Sequence, residues 1–205
     1  MAIERFVLAV ATSTVCATLI NQGVTQWREH RAKKENGRLS ALYLAELLER
    51  YCGACSTYLA DKEAHTNSQG HAGNDWGCLP TIPEYPDNID WKALGIPFTE
   101  RVFRFRVDVE AIQGMISDAY SFDPPEGGDG HVVDNLPAKG LEANLIAQDL
   151  RRSFHLTPQP TDREWSSERH LRESRDARQE RIQRWRMESE QRRADKDASL
   201  TGEVL

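Results

Sequence analysis

Apolar side chains recur every third or fourth position in three stretches of the chain, and each stretch predicts a helix with one buried face. The first runs through Arg38 to Tyr58 on Ala41, Leu44, Leu48, Tyr51, Cys55 and Tyr58. The second spans Thr99 to Tyr120 on Val102, Phe105, Val109, Ile112, Ile116 and Ala119. The third occupies Pro137 to Phe154 on Ala143, Ile146 with Ala147, Leu150 and Phe154, with Pro137 expected in its first turn, where a missing N–H costs nothing. Alternation at period two is absent apart from a short ambiguous stretch at 102–107. The expected fold class is therefore mainly α, with an antiparallel helical cluster at its centre.

Residues 67–97 break the helical pattern. Pro80, Pro83, Pro86 and Pro97 fix φ and remove donors, so the stretch cannot be helical throughout. A connection this long is usually functional or docked on the domain. Ile82, Tyr85, Ile89 and Trp91 favour a wrap packed on the helices. The sharper alternative is a partner groove lined by Tyr85 and Trp91.

A different pattern opens the chain. Residues 6–27 hold no charged side chain. As a helix they would extend roughly 33 Å, enough to cross a hydrocarbon core about 30 Å thick. Thr12, Ser13, Thr14 and Thr18 are tolerable there because hydroxyls can bond back to helix carbonyls. Trp27 suits an interfacial anchor. Residues 6–27 are thus expected to be a single transmembrane helix after a short tail, 1–5, with the bilayer as first partner. A cleaved signal peptide, using Val15-Cys16-Ala17, and a buried soluble helix are the rivals. Arg28, Arg31, Lys33, Lys34 and Arg38 make 28–38 a basic juxtamembrane segment, which by the positive-inside rule keeps the C-terminal side in the cytoplasm, as in a bacterial inner membrane. The same cluster can attract anionic headgroups.

Charge then divides the rest. Residues 39–158 carry nine basic and eighteen acidic side chains, and residues 159–205 carry eleven of each. The acidic middle, of a size suited to one modest core, repels nucleic acid and anionic membrane alike, so no nucleic-acid partner is expected. The last segment starts on a capping box, Thr161-Asp-Arg-Glu164, and continues as an almost wholly polar helix that frays toward its end. Its arginines at every third position from Arg169 to Arg184 wind around the helix and do not line one face. Leu171, Ile182 and Trp185 leave room for a protein partner, coiled-coil contact or self-association.

The strongest chemical signal is Cys52-Gly53-Ala54-Cys55, with Cys78, His65 and His71 downstream. Four thiolate or imidazole ligands would be needed for zinc, so Cys52, Cys55, Cys78 and His71 are weak metal candidates. A redox pair would sit at a helix N-terminus, whereas this one follows helix-forming sequence and Cys55 lies on the apolar stripe. Small buried cysteines are the simpler expectation. The acidic run 123–131 departs from the calcium-loop pattern and is expected as a solvated turn. His155 and His170 are expected at the surface. No cofactor is expected.

The run Leu-Pro-Thr-Ile-Pro-Glu-Tyr-Pro-Asp-Asn-Ile-Asp-Trp at 79–91 lies between a Tyr/Cys-bearing helix and a Glu/Arg-bearing one. In this it resembles uncharacterised bacterial proteins with one N-terminal transmembrane span and a small helical domain, over residues 1–155. The resemblance implies a membrane-anchored helical protein and brings no activity. The expected function is a membrane-tethered, non-enzymatic interaction module, with Tyr85, Trp91 and Trp185 as partner-binding candidates. The alternative is a cytoplasm-facing metal- or thiol-dependent sensor or enzyme using Cys52 and Cys55.

Overall fold

The computed structural model describes the backbone of residues 2–122, 126–159 and 166–202, and the side chains of 22–122, 128–159 and 166–193. Among these residues the protein is mainly helical and has no strand: α1 (Ala2–Asn67), α2 (Trp91–Leu94), α3 (Ile96–Phe122), α4 (Glu126–Ser153) and α5 (Ser167–Gly202).

The uncharged run, the basic segment and the first core stripe form one uninterrupted helix. Its 66 residues span roughly 100 Å. Side chains 22–36 are all exposed, and Gly37 is the first buried residue among those described. The bundle thus grips α1 from Gly37 onward and leaves 22–36 bare. On this bare stretch Arg31 pairs with Glu35 at 3.2 Å and lies 5.6 Å above the Trp27 ring. Among the described residues no helix is long and apolar enough to cross a membrane. Most of the expected span, 6–21, lies outside the described side chains.

Contacts fix the helix directions. Along α1, Glu49 meets Arg151, Cys55 abuts Gly140 and Lys62 meets Asp129, so α4 runs antiparallel to α1. Arg101–Asp149 and Tyr120–Asp129 make α3 antiparallel to α4 as well. Ser56 with His170 and Glu63 with Ser174 set α5 parallel to α1. Three helices rise and one descends. One return must therefore run outside the bundle, between the parallel α1 and α3, and residues 68–90 make it.

That return explains the prolines. Trp76 stacks on Tyr58 at 4.2 Å and donates to Asp61 at 2.9 Å, while the Asp90 N–H donates to Ser40 Oγ at 2.9 Å. Between those staples the chain descends about 32 Å along α1, a distance extended proline-rich backbone covers at about 3.1 Å per residue. Leu79, Ile82 and Ile89 are buried beneath it. At Gly73 the turn passes so close to α1 that a Cβ would sit 2.1 Å from the Asp61 carbonyl oxygen, and φ is +73°, so glycine alone fits.

The core is the set of expected stripes brought face to face. Ala41, Leu44, Leu48 and Cys55 of α1, Val102, Phe105 and Ile116 of α3, and Ala143, Ile146, Ala147 and Leu150 of α4 are at most 1% exposed. Tyr51 meets Phe105 edge to face at 5.5 Å. Helix α4 departs from expectation at its start. Pro137 lies inside the helix and not in its first turn, and 126–131, expected as a solvated turn, are helical. Burial outweighs the unfavourable propensity of Gly127, Gly128 and Gly130: Val132 and Leu136 are fully enclosed, which requires the helix to extend back past Pro137. Helix α5 begins at Ser167, with Ser166 as N-cap accepting from the Arg169 N–H at 3.2 Å. The expected capping box at Thr161 to Glu164 lies outside the described residues.

Candidate functional site

An exposed apolar surface lies where the proline-rich return meets α2 and α3. Asp90 caps α2 by accepting from the Ala93 N–H at 3.0 Å, which sets Trp91 at the first helical position. Trp91 packs on Phe103 at 4.8 Å, and Tyr85 stands edge-on to both at 5.7 and 5.9 Å. The Tyr85 hydroxyl donates to the Val102 carbonyl at 3.0 Å, and the Arg106 guanidinium lies 5.2 Å over its ring. Burial pushes the Tyr85 phenol up to about 12, so it stays a neutral donor. Of the sequence candidates, Tyr85 and Trp91 are therefore brought together, half-buried, and tied to the bundle. Beside them Ile96, Phe103 and Val107 are 79, 45 and 61% exposed, and an open hollow of about 570 Å³ runs over Trp91, Gly95, Ile96 and Thr99 with Lys92 and Glu100 at its edges. Ile96, Phe103 and Val107 follow a helical period on the outside of α3, a second stripe not singled out in the sequence because the buried stripe beside it dominates the periodicity.

Trp185, the third candidate, lies far along α5. Leu171 is fully buried, but Ile182 and Trp185 are 38 and 63% exposed. Because α5 runs parallel to α1, its second half projects from the end of the bundle opposite the bare stalk. Trp185 does not join the aromatic face.

The cysteines are enclosed. Cys52 and Cys55 are 3 and 0% exposed and both thiols are free. Burial pushes the Cys52 thiol up to about 12, and drives Cys55 up as well despite a favourable contact with the Tyr51 hydroxyl. Neutral thiols are poor nucleophiles and poor ligands. Cys78 is half-buried and His71 exposed. Among the described residues no three Cys, His, Asp or Glu side chains converge in a metal-binding group.

Two polar clusters were not legible in the sequence. Ser56 Oγ lies 2.9 Å from His170 Nδ1, and Glu63 is 3.6 Å from His170 Nε2, a serine–histidine–carboxylate order spread over α1 and α5. His170 is thus half-buried against α1 and not at the surface as expected. Ser56 is 0% exposed in mid-helix, so no substrate can reach its hydroxyl, and the chain of contacts serves to dock α5.

The second cluster centres on Lys62, whose ammonium pairs with Asp75 and, at 2.8 Å, with Asp129, which also accepts from the Tyr120 hydroxyl at 2.5 Å. It ties the return segment and the start of α4 to α1. Burial would lower the Lys62 pKa, but the hydrogen bonds it donates to Asp129 and Asp75 outweigh that and raise it above its ordinary 10.5. Burial would likewise raise Asp129, but Lys62 and Tyr120 hold it below its ordinary 3.8. A depressed carboxyl contributes its stability above the unfolded value and loses it as pH falls through the folded one; a raised ammonium does so on the alkaline side. The lock is therefore complete between about pH 4 and about pH 10.5. Lys62→Met is expected to lower the urea midpoint at pH 7, and the gap from wild type should close as pH is taken below 4. A gap that persists unchanged in acid would mean the lysine acts through packing alone.

Comparison with known proteins gives no further guide, for no family model, no curated protein and no solved structure matches this chain.

Proposed function

We propose that the protein is a membrane-tethered, non-enzymatic helical module that presents an aromatic face to a protein partner. The observation that carries this is the continuity of α1: one helix, Ala2–Asn67, contains the uncharged run 6–27, the basic segment and the first core stripe without a break. A helix anchored at one end would hold the bundle at a fixed distance from the bilayer. Gly37, the first buried residue among those described, lies about 15 Å beyond Trp27 along the axis. With the basic segment on the cytoplasmic side, the bundle would face the cytoplasm. The partner face is the exposed set Ile96, Phe103 and Val107 beside Trp91; large aromatics on a rigid support are common binding anchors. Enclosure of Cys52, Cys55 and Ser56 favours binding over catalysis.

The full chain is expected to stay with membranes through carbonate extraction, and a fragment of residues 36–205 to be released. Because 22–36 are exposed, removing them takes away no core side chain. Full-length protein in the carbonate supernatant would overturn the tether.

A further inference from the structure

Where the bare stalk enters the bundle, α1 faces the end of α4 across a cavity of about 420 Å³, within the range of small-molecule sites. Lys33, Lys34 and Arg38 line it from α1, with His30; Phe154 and His155 line it from the far side. No carboxylate lines it. Glu35, the nearest acid along α1, is engaged by Arg31 on the flank.

The local fold builds this cavity. Gly37 lets the structure close: a Cβ there would stand 3.1 Å from the Ala93 carbonyl oxygen and 3.2 Å from the Phe154 ring. Helix α4 ends with the Leu156 N–H returning to the Arg151 carbonyl at 2.9 Å and His155 at φ +51°, a left-handed stop. Arg38 donates to the His155 carbonyl at 3.4 Å, which orients its guanidinium at the rim. Lys33 and Lys34 have no ion-pair partner among the described residues. Three cations around one apolar-floored hollow, with no carboxylate among its lining, favour the entry of an anion. A tetrahedral phosphate, with several acceptor oxygens and more than one charge, matches a guanidinium and two ammoniums.

We infer that this cavity is a binding site for a phosphate group, and that the phosphate is the headgroup of an anionic phospholipid. The lipid as source rests on the membrane tether proposed above. In that arrangement Lys33 and Lys34 stand about 9–10 Å beyond Trp27, near the headgroup layer.

The test uses the full chain in neutral detergent micelles, titrated in one arm with phosphatidylglycerol and in the other with inorganic pyrophosphate, with thermal unfolding as readout. Phosphatidylglycerol is expected to raise the melting temperature saturably. Lys33→Gln with Lys34→Gln should weaken that binding by at least about tenfold. Arg28→Gln with Arg31→Gln removes the same charge outside the cavity and should weaken it much less. All four positions are exposed, so the variants keep the fold. Equal loss in both variants, or no saturable shift in either arm, overturns the site. Saturation by pyrophosphate alone, with the same dependence on Lys33 and Lys34, keeps the phosphate site and overturns the lipid as its source. The pyrophosphate arm is readable even if carbonate extraction removes the protein from membranes, so failure of the tether and failure of the site are separable.

Discussion

Replacing Arg151 with methionine is expected to destabilise the bundle by about 3–5 kcal/mol, the cost of stranding a buried charge. The Arg151 side chain is 10% exposed and its Glu49 partner 7%. Nε and Nη2 donate to the two Glu49 oxygens at 2.5 and 2.8 Å, Nη2 also donates to Glu46 at 2.7 Å, and Nη1 reaches the Thr157 carbonyl at 2.8 Å. Without the guanidinium, the Glu49 carboxylate remains enclosed and must admit water or bind a proton. The pair as a whole is not expected to add comparable net stability, because removing both ions from water offsets their attraction. Arg151→Met combined with Glu49→Leu should therefore recover most of the loss. Urea unfolding of the single and double variants measures this directly. A single-variant cost within about 1 kcal/mol would place the pair with ordinary surface ion pairs.

The same arginine ties the bundle to the cavity below it. By holding the Thr157 carbonyl it fixes the segment that follows α4, and with it the wall formed by Phe154 and His155. Arg151→Met should consequently also loosen the phosphate site, while Arg152→Met, on a side chain 75% exposed, should leave both stability and binding near wild type.

The helical stripes were readable because burial imposes a period, and a period survives in sequence. Leu44, Leu48, Phe105, Val109, Ile146 and Leu150 are all buried where the spacing put them. Ends were less readable, because they depend on partners distant in sequence. The α4 start is set by room for Val132 and Leu136 against the other helices, not by Pro137. Continuity of α1 past Arg38 was hidden by a change in surface character that is not a change in backbone. The proline-rich return was expected to dock, and Leu79, Ile82 and Ile89 lie beneath it, but its reason, the parallel course of α1 and α3, is a property of topology. Of the site residues, Tyr85 and Trp91 stood out by composition. Ile96, Phe103 and Val107 did not, nor did the meeting of Lys33, Lys34 and Arg38 with Phe154 and His155, since 115 or more residues separate the two sides of that cavity.

Substituting Gly140 with leucine is expected to release α5 from the bundle. Gly140 lies where α1, α4 and α5 meet: a Cβ on it would stand 2.6 Å from Leu171 Cδ1 and 2.9 Å from Cys55 Cβ. Leucine improves helix propensity by somewhat under 1 kcal/mol. Overpacking at a closed three-helix contact costs about 1–3 kcal/mol and occasionally more. Here the overpacking outweighs the gain in propensity, because the Cys55 Cβ sits on the backbone of α1 and cannot rotate away. The Leu171 side chain can move, and α5 is otherwise held through polar contacts: Ser56–His170, Ser174 with Glu63, Arg178 with Asp134, and the bonds that Glu168 accepts from Asn144 at 2.9 Å and Gln148 at 3.2 Å. The strain is thus expected to be relieved by undocking α5 while α1, α3 and α4 stay packed. Limited proteolysis should then cut within 167–178 in Gly140→Leu at protease levels that leave the wild type intact, with far-ultraviolet circular dichroism little changed. Wild-type resistance at 167–178 in the variant would show that the contact has room that the geometry denies. Global unfolding, with cleavage spread across the core helices, would show that α5 is integral to the bundle and not a docked arm.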